Sequence, residues 1–215
     1  MPAEQPVRIP VEDFTLEGAL HLPDGDGPFP AIVCCHPHPR WGGDMYSNVV
    51  MAVVRGALAR GIAALRFNFR GAGGSGGSHA NGIGEQDDVR AAVTFLRARE
   101  EIDPIRLGVM GYSFGAAVAG RSVDDSIGAL MLVALPISEE GFDGDALYEY
   151  EGPVLLASGD RDAISPSAWV TDLAAVLGDR AEAHAVPDAD HFWAGFEPVL
   201  ADLAGDFLAS HLVDG

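Results

Sequence analysis

The sequence predicts an α/β fold: a mostly parallel, doubly wound sheet of about eight strands flanked by helices. Three observations carry that prediction. Short apolar runs rich in Val, Ile, Leu and Ala recur along the chain, the pattern of strands buried on both faces. Segments with helical spacing lie between them, so strand and helix alternate as a parallel sheet requires. The length, 215 residues, fits one domain at roughly 100–200 residues per domain, so residues 1–215 are read as a single unit.

The chain opens differently, with two short extended runs, Val7 to Val11 and Phe14 to His21, that suit an antiparallel hairpin. Apolar strands of the buried type follow at Ala31 to Cys35, Ala63 to Phe69, Arg106 to Met110, Ala129 to Ala134, Val154 to Ser158 and Ala181 to Val186. Ser47 is placed to cap a helix whose Val49, Val50, Val53 and Leu58 share one side and which stops at Gly61. Glu85 to Arg99 reads as a helix with acids at its start and Arg at its end, as the helix dipole favours. Ser165-Pro166 opens a further helix over Trp169 to Leu177, and Pro198 to Leu212 carries Leu200, Leu203, Phe207 and Leu208 at helical spacing.

Composition narrows the function. Asp and Glu total 32 against 13 basic residues, a net charge of −19, and every basic residue is Arg. That charge disfavours nucleic acid and anionic membranes as partners. It also disfavours strongly anionic substrates unless an Arg stands beside the site. A lysine-free acidic surface suits high-salt solvent, where self-repulsion is screened, although a GC-rich genome gives the same Arg bias. The two cysteines, Cys34 and Cys35, are adjacent in an apolar run and read as buried thiols. No apolar run has the roughly 18 residues of a membrane span, and the N-terminus lacks a basic-then-apolar leader, so a cytoplasmic location is expected.

The sharpest chemistry lies in Gly111-Tyr112-Ser113-Phe114-Gly115, which follows a strand and precedes the helix-forming Ala116, Ala117 and Ala119. A serine on a tight strained turn between strand and helix projects its hydroxyl above the sheet, and glycines on either side make room for the turn. Serine alone is a weak nucleophile and requires a base and an orienting acid. Both occur in the chain order of doubly wound hydrolases. Asp160 and Asp162 follow the strand that ends at Ser158, and His191 follows the strand that ends at Val186. Asp160 is expected to stabilise its turn and Asp162 to reach inward. Asp190 is read as a solvated loop acid. His191 is preferred because His21, His36, His38 and His79 precede the serine, His184 is in mid-strand and His211 is near the chain end.

Acyl transfer also needs an oxyanion hole. The N–H of Phe114, next after the nucleophile, is one donor. The second comes from the loop His36-Pro37-His38-Pro39. Its prolines have no N–H, and of His36 and His38 the N–H of His38, further into the loop, is taken as the second donor. Trp41, Met45, Tyr46, Ile164, Phe192 and Trp193 stand on the same loops and are candidates to line the substrate pocket.

Taken together, these residues resemble the α/β-hydrolase superfamily, and within it the small dienelactone-hydrolase-like group. The resemblance rests on His36-Pro37-His38-Pro39 with Gly42-Gly43, on Arg66-Phe67-Asn68-Phe69-Arg70-Gly71, on Gly111 to Gly115, and on Gly159 to Asp162 with His191. It implies a serine hydrolase with Ser113 as nucleophile, Asp162 as acid and His191 as base. Dienelactone hydrolases proper use a cysteine, so the serine here points to ester or thioester cleavage through an acyl-enzyme. The short span from Ser113 to Asp162 leaves little room for a cap domain, which suits small-molecule esters with short or accessible acyl groups. Peptidase and thioesterase activity, or a catalytically silent binding scaffold, are the alternatives.

Two other motifs compete. Gly71-Ala72-Gly73-Gly74-Ser75-Gly76 matches a dinucleotide fingerprint after a strand, but Ser78 to Gly84 continues as loop where a helix is required. It is read instead as a flexible connection, with Arg70 on loop carbonyls. His36-x-His38 could form a metal pair, but no metal or other cofactor is expected.

Overall fold

The computed structural model describes residues 4–136 and 144–213. Its strands form a single eight-stranded sheet in the order β1-β2-β4-β3-β5-β6-β7-β8. The hairpin is β1 (Glu4–Val11) and β2 (Phe14–His21), which pairs antiparallel with β4 (Ala63–Phe67). From β4 onward every pairing is parallel, through β3 (Phe29–Cys35), β5 (Ile102–Tyr112), β6 (Ala129–Val133), β7 (Val154–Gly159) and β8 (Ala181–Val186).

The helices wind both faces. On one side α1 (Asn48–Ala59) and α6 (Glu197–Leu212) cover Ile32, Cys34, Ala64, Met110 and Met131. They approach closely at Gly56, where a Cβ would stand 2.1 Å from the Ala201 carbonyl oxygen. On the other side α2 (Glu85–Arg97), α3 (Phe114–Ser122) and α5 (Ser167–Leu177) cover Val33, Leu65, Val109, Leu132 and Leu156. Strands buried on both faces therefore need no polar alternation, which is why they read as continuous apolar runs. No described helix is long and apolar enough to cross a membrane.

Several elements differ from the sequence expectation. β4 stops at Phe67 because the chain then turns off the sheet: Asn68 still donates to the Glu17 carbonyl of β2, but the Phe69 amide donates to the His36 ring. β5 begins earlier, at the buried Ile102, and the half-buried or exposed Asp103 to Arg106 separate that residue from the continuous apolar run. β8 is an edge strand with mostly exposed or half-buried side chains, not a strand buried on both faces. α2 ends at Arg97, two residues before the expected Arg99, and Ser47 sits at the start of α1 without a side-chain cap bond. A five-residue helix, α4 (Asp145–Glu149), is additional.

Candidate active site

β5 ends at Tyr112 and α3 begins at Phe114, so Ser113 alone makes the turn. It does so at φ 53°, ψ −118°, a left-handed backbone that a non-glycine residue adopts only when its surroundings impose it. The Ser113 N–H donates to the Val133 carbonyl at 2.9 Å, and its own carbonyl accepts from Ala116 at 2.8 Å. The flanking glycines are steric requirements. A Cβ on Gly111 would lie 2.2 Å from the Gly115 oxygen, and one on Gly115 would lie 2.4 Å from the Cys35 oxygen. The turn is thus pressed between the first turn of α3 and the end of β3, and the helix N-terminus lies directly beside the serine.

Asp162 and His191 come to this serine from the loops after β7 and β8. The Asp162 carboxylate is buried, and its Oδ1 accepts the N–H groups of Ile164 at 2.8 Å and Ser165 at 2.7 Å. Its Oδ2 lies 2.8 Å from His191 Nδ1, and His191 Nε2 lies 3.0 Å from Ser113 Oγ. Two backbone donors hold the carboxylate so that its second oxygen faces the imidazole. A proton on Nδ1 then leaves Nε2 free to accept from the serine. Asp160 does not enter the site: its Oδ1 accepts the Asp188 N–H at 2.8 Å and ties the two loops together. Asp190 is exposed and accepts the Phe192 N–H at 2.9 Å. The loops also abut at Gly159, where a Cβ would stand 2.1 Å from the Ala189 oxygen.

The loop after β3 lies against the start of α3. His38 places its ring 4.7 Å from that of Phe114, and its carbonyl accepts from Trp41 and Gly43 at 3.0 and 3.1 Å. His36 is fully buried. Its Nε2 accepts the Phe69 N–H at 3.0 Å, and its Nδ1 lies 2.6 Å from the Pro37 carbonyl. Both ring nitrogens are therefore engaged by backbone, and a metal ligand would need one free. Burial lowers the His36 pKa to about 4, so the ring is neutral.

The residues named as pocket candidates divide. Trp41, Tyr46, Ile164 and Phe192 are exposed, and Phe192 meets the His191 ring edge-on at 5.7 Å. Met45 and Trp193 are buried and offer substrate no surface. Met45 is pinned through its own backbone, its N–H on Asn68 Oδ1 and its carbonyl on Arg66. Trp193 takes φ 58° and packs in the core beneath α1 and α6.

Other side chains near the site were not legible in the sequence. Tyr112 and Asn48 bond the carbonyls of His191 and Phe192, at 2.8 and 3.0 Å. Arg70 does not bond loop carbonyls. Its guanidinium binds Asp88 Oδ1 at 2.7 and 2.9 Å, beneath the glycine-rich loop. That loop, from Gly71 to Gly84, opens no helix until Glu85, whose buried carboxylate accepts the N–H groups of Ala80 and Gly82.

A family profile described as "Alpha/beta hydrolase domain" matches residues 40–198. An uncharacterized protein of Rickettsia prowazekii is 32% identical over 173 residues, spanning 76% of this chain and 72% of that protein. Among solved structures, an alpha-beta serine hydrolase homologue from Coxiella burnetii superposes with a TM-score of 0.83 at 30% identity, covering 96% of this chain and 97% of that one. A serine hydrolase without lid from Xanthomonas campestris superposes with a TM-score of 0.85 at 29% identity, covering 99% and 97%. The profile, the strand order and the turn that carries Ser113 agree: this chain belongs to the alpha/beta hydrolase family, with the fold of its lidless serine hydrolases.

Proposed function

We propose that this hydrolase cleaves carboxylic esters with short or accessible acyl groups, through an acyl-enzyme on Ser113. One observation carries the reading: the continuous hydrogen-bonded line from Asp162 Oδ2 through His191 to Ser113 Oγ, with steps of 2.8 and 3.0 Å. Ser113 Oγ attacks the ester carbonyl as His191 Nε2 takes its proton. Asp162 holds the ring and stabilises the imidazolium. The N–H groups of Phe114 and His38 receive the oxyanion. The tetrahedral species collapses as Nε2 returns the proton to the leaving alcohol. Water, deprotonated by the same nitrogen, then releases the acid and restores Ser113.

The exposed side chains of Trp41, Tyr46, Ile164 and Phe192 form the apolar rim against which an acyl or alcohol group rests. The test is steady-state turnover of p-nitrophenyl esters of increasing acyl length, with Ser113→Ala in parallel. Turnover that falls to background in the variant and peaks at short chains supports the reading. Undiminished turnover by Ser113→Ala rejects it.

A further inference from the structure

The serine and the histidine stand on loops after β5 and β8, and β6 and β7 lie between those strands in the sheet. Asp160 ties the loop after β7 to the Asp188 N–H, three residues before His191. The structure contains a direct brace. Tyr112 immediately precedes the nucleophile and is almost fully buried. Its hydroxyl donates to the His191 carbonyl at 2.8 Å, and its ring lies 5.8 Å from the imidazole. One residue on, Asn48 Nδ2 at the start of α1 donates to the Phe192 carbonyl and to Glu197 Oε1, both at 3.0 Å. Glu197 Oε2 in turn accepts the Gly195 N–H at 2.8 Å.

We propose that Tyr112 and Asn48 are positioning residues for His191, clamping two consecutive carbonyls of its loop so that Nε2 stays within reach of Ser113 Oγ. The inference rests on reading His191 as the base. Its physical content is that the elbow grips His191 at both ends, Ser113 on the ring and Tyr112 on the backbone. The strained turn and the base therefore move as one body. Burial, with the Asp162 and Asp190 carboxylates nearby, pushes the Tyr112 hydroxyl well above its ordinary pKa, so it remains a donor wherever the enzyme is assayed. A tyrosine has only two side-chain torsions, so a packed ring holds its hydroxyl with little freedom to lose. Asp162 fixes the ring at Nδ1 and cannot by itself fix where the loop stands.

The experiment compares Tyr112→Phe and Asn48→Ala with wild type on p-nitrophenyl butyrate. It also measures the rate at which a p-nitrophenyl alkylphosphonate inactivates Ser113, a reaction that needs the same base. The clamp predicts that Tyr112→Phe lowers kcat about tenfold and phosphonylation by a similar factor, with KM within twofold and the melting profile still cooperative. Asn48→Ala, at the surface, lowers kcat by about threefold or more in the same manner. In an Asp162→Asn background, where His191 is already misoriented, Tyr112→Phe costs far less than in wild type. Unchanged kcat in a folded Tyr112→Phe overturns the inference, as do losses that multiply independently with Asp162→Asn. If Tyr112→Phe does not fold, Asn48→Ala decides alone, and unchanged kcat there overturns the clamp. Turnover that survives Ser113→Ala is a different failure, because it removes the serine mechanism itself.

Discussion

Gly115 stands so close to Cys35 that a Cβ at position 115 would lie 2.4 Å from the Cys35 carbonyl oxygen. The contact joins the first turn of α3 to the end of β3, and so brings the elbow against the loop that carries His38. Gly115→Ala is expected to force the two apart. It should destabilise the fold by about 1–3 kcal/mol and lower turnover more than stability alone explains. Urea melts and kcat on one ester check both. A variant with wild-type stability and rate contradicts the close approach.

Asp162 and Asp160 lie two residues apart and make different contacts, Asp162 with the His191 ring and Asp160 with the Asp188 N–H. Asp162→Asn should lower kcat by roughly 10³–10⁴-fold, because the imidazole loses the partner that sets its tautomer. Asp160→Asn weakens only the bond to the Asp188 N–H and should leave kcat within a few-fold of wild type while lowering the melting temperature. Equal losses in the two variants would reverse the assignment.

His36 links acid sensitivity to the loop after β3. Its folded pKa is depressed to about 4 by burial, below the ordinary histidine value near 6.5, so the unfolded chain binds the extra proton first. Its contribution is therefore complete above about pH 6.5 and is lost as pH falls towards about 4. The shift corresponds to roughly 3 kcal/mol. Denaturant melts at pH 7, 5.5 and 4.5 should show wild type losing more stability than His36→Gln over this range. Parallel losses would assign the acid sensitivity to other groups.

The two tryptophans near the site should behave oppositely. Trp193 is fully buried, and Trp193→Ala should cost about 3–5 kcal/mol of stability. Trp41 is 86% exposed, and Trp41→Ala should change stability by less than about 0.5 kcal/mol while raising KM for esters with bulky groups. Circular dichroism melts and a KM series separate the two.

A net charge of −19 over 215 residues produces self-repulsion that salt screens. The melting temperature is expected to rise from low to molar KCl. A flat profile would show that the ion pairs, such as Arg70 with Asp88 and Arg161 with Asp188, already balance the acidic surface.

Much of the fold was legible because buried parallel strands leave uninterrupted apolar runs, and because Gly111 and Gly115 mark a turn that no side chain could enter. Asp162, His191 and Ser113 could be named from chain order and position past strand ends. Side-chain direction could not be read that way. Met45 and Trp193 share loops with Trp41, Tyr46 and Phe192, and only tertiary packing turns them inward. The start of β5 was hidden because Asp103 to Arg106, half-buried or exposed, interrupt the apolar pattern after Ile102. Arg70 with Asp88, and Tyr112 with the His191 carbonyl, join residues distant in sequence, and local pattern holds no trace of such pairings.

The most direct test of the central claim is to quench turnover of a p-nitrophenyl ester within its first cycle and weigh the protein intact. Peptide mapping then locates any added acyl group. The account predicts a transient mass gain of one acyl group, located on Ser113 and absent from Ser113→Ala. Ester hydrolysis that proceeds with no acyl adduct, or with the adduct on another residue, would contradict it.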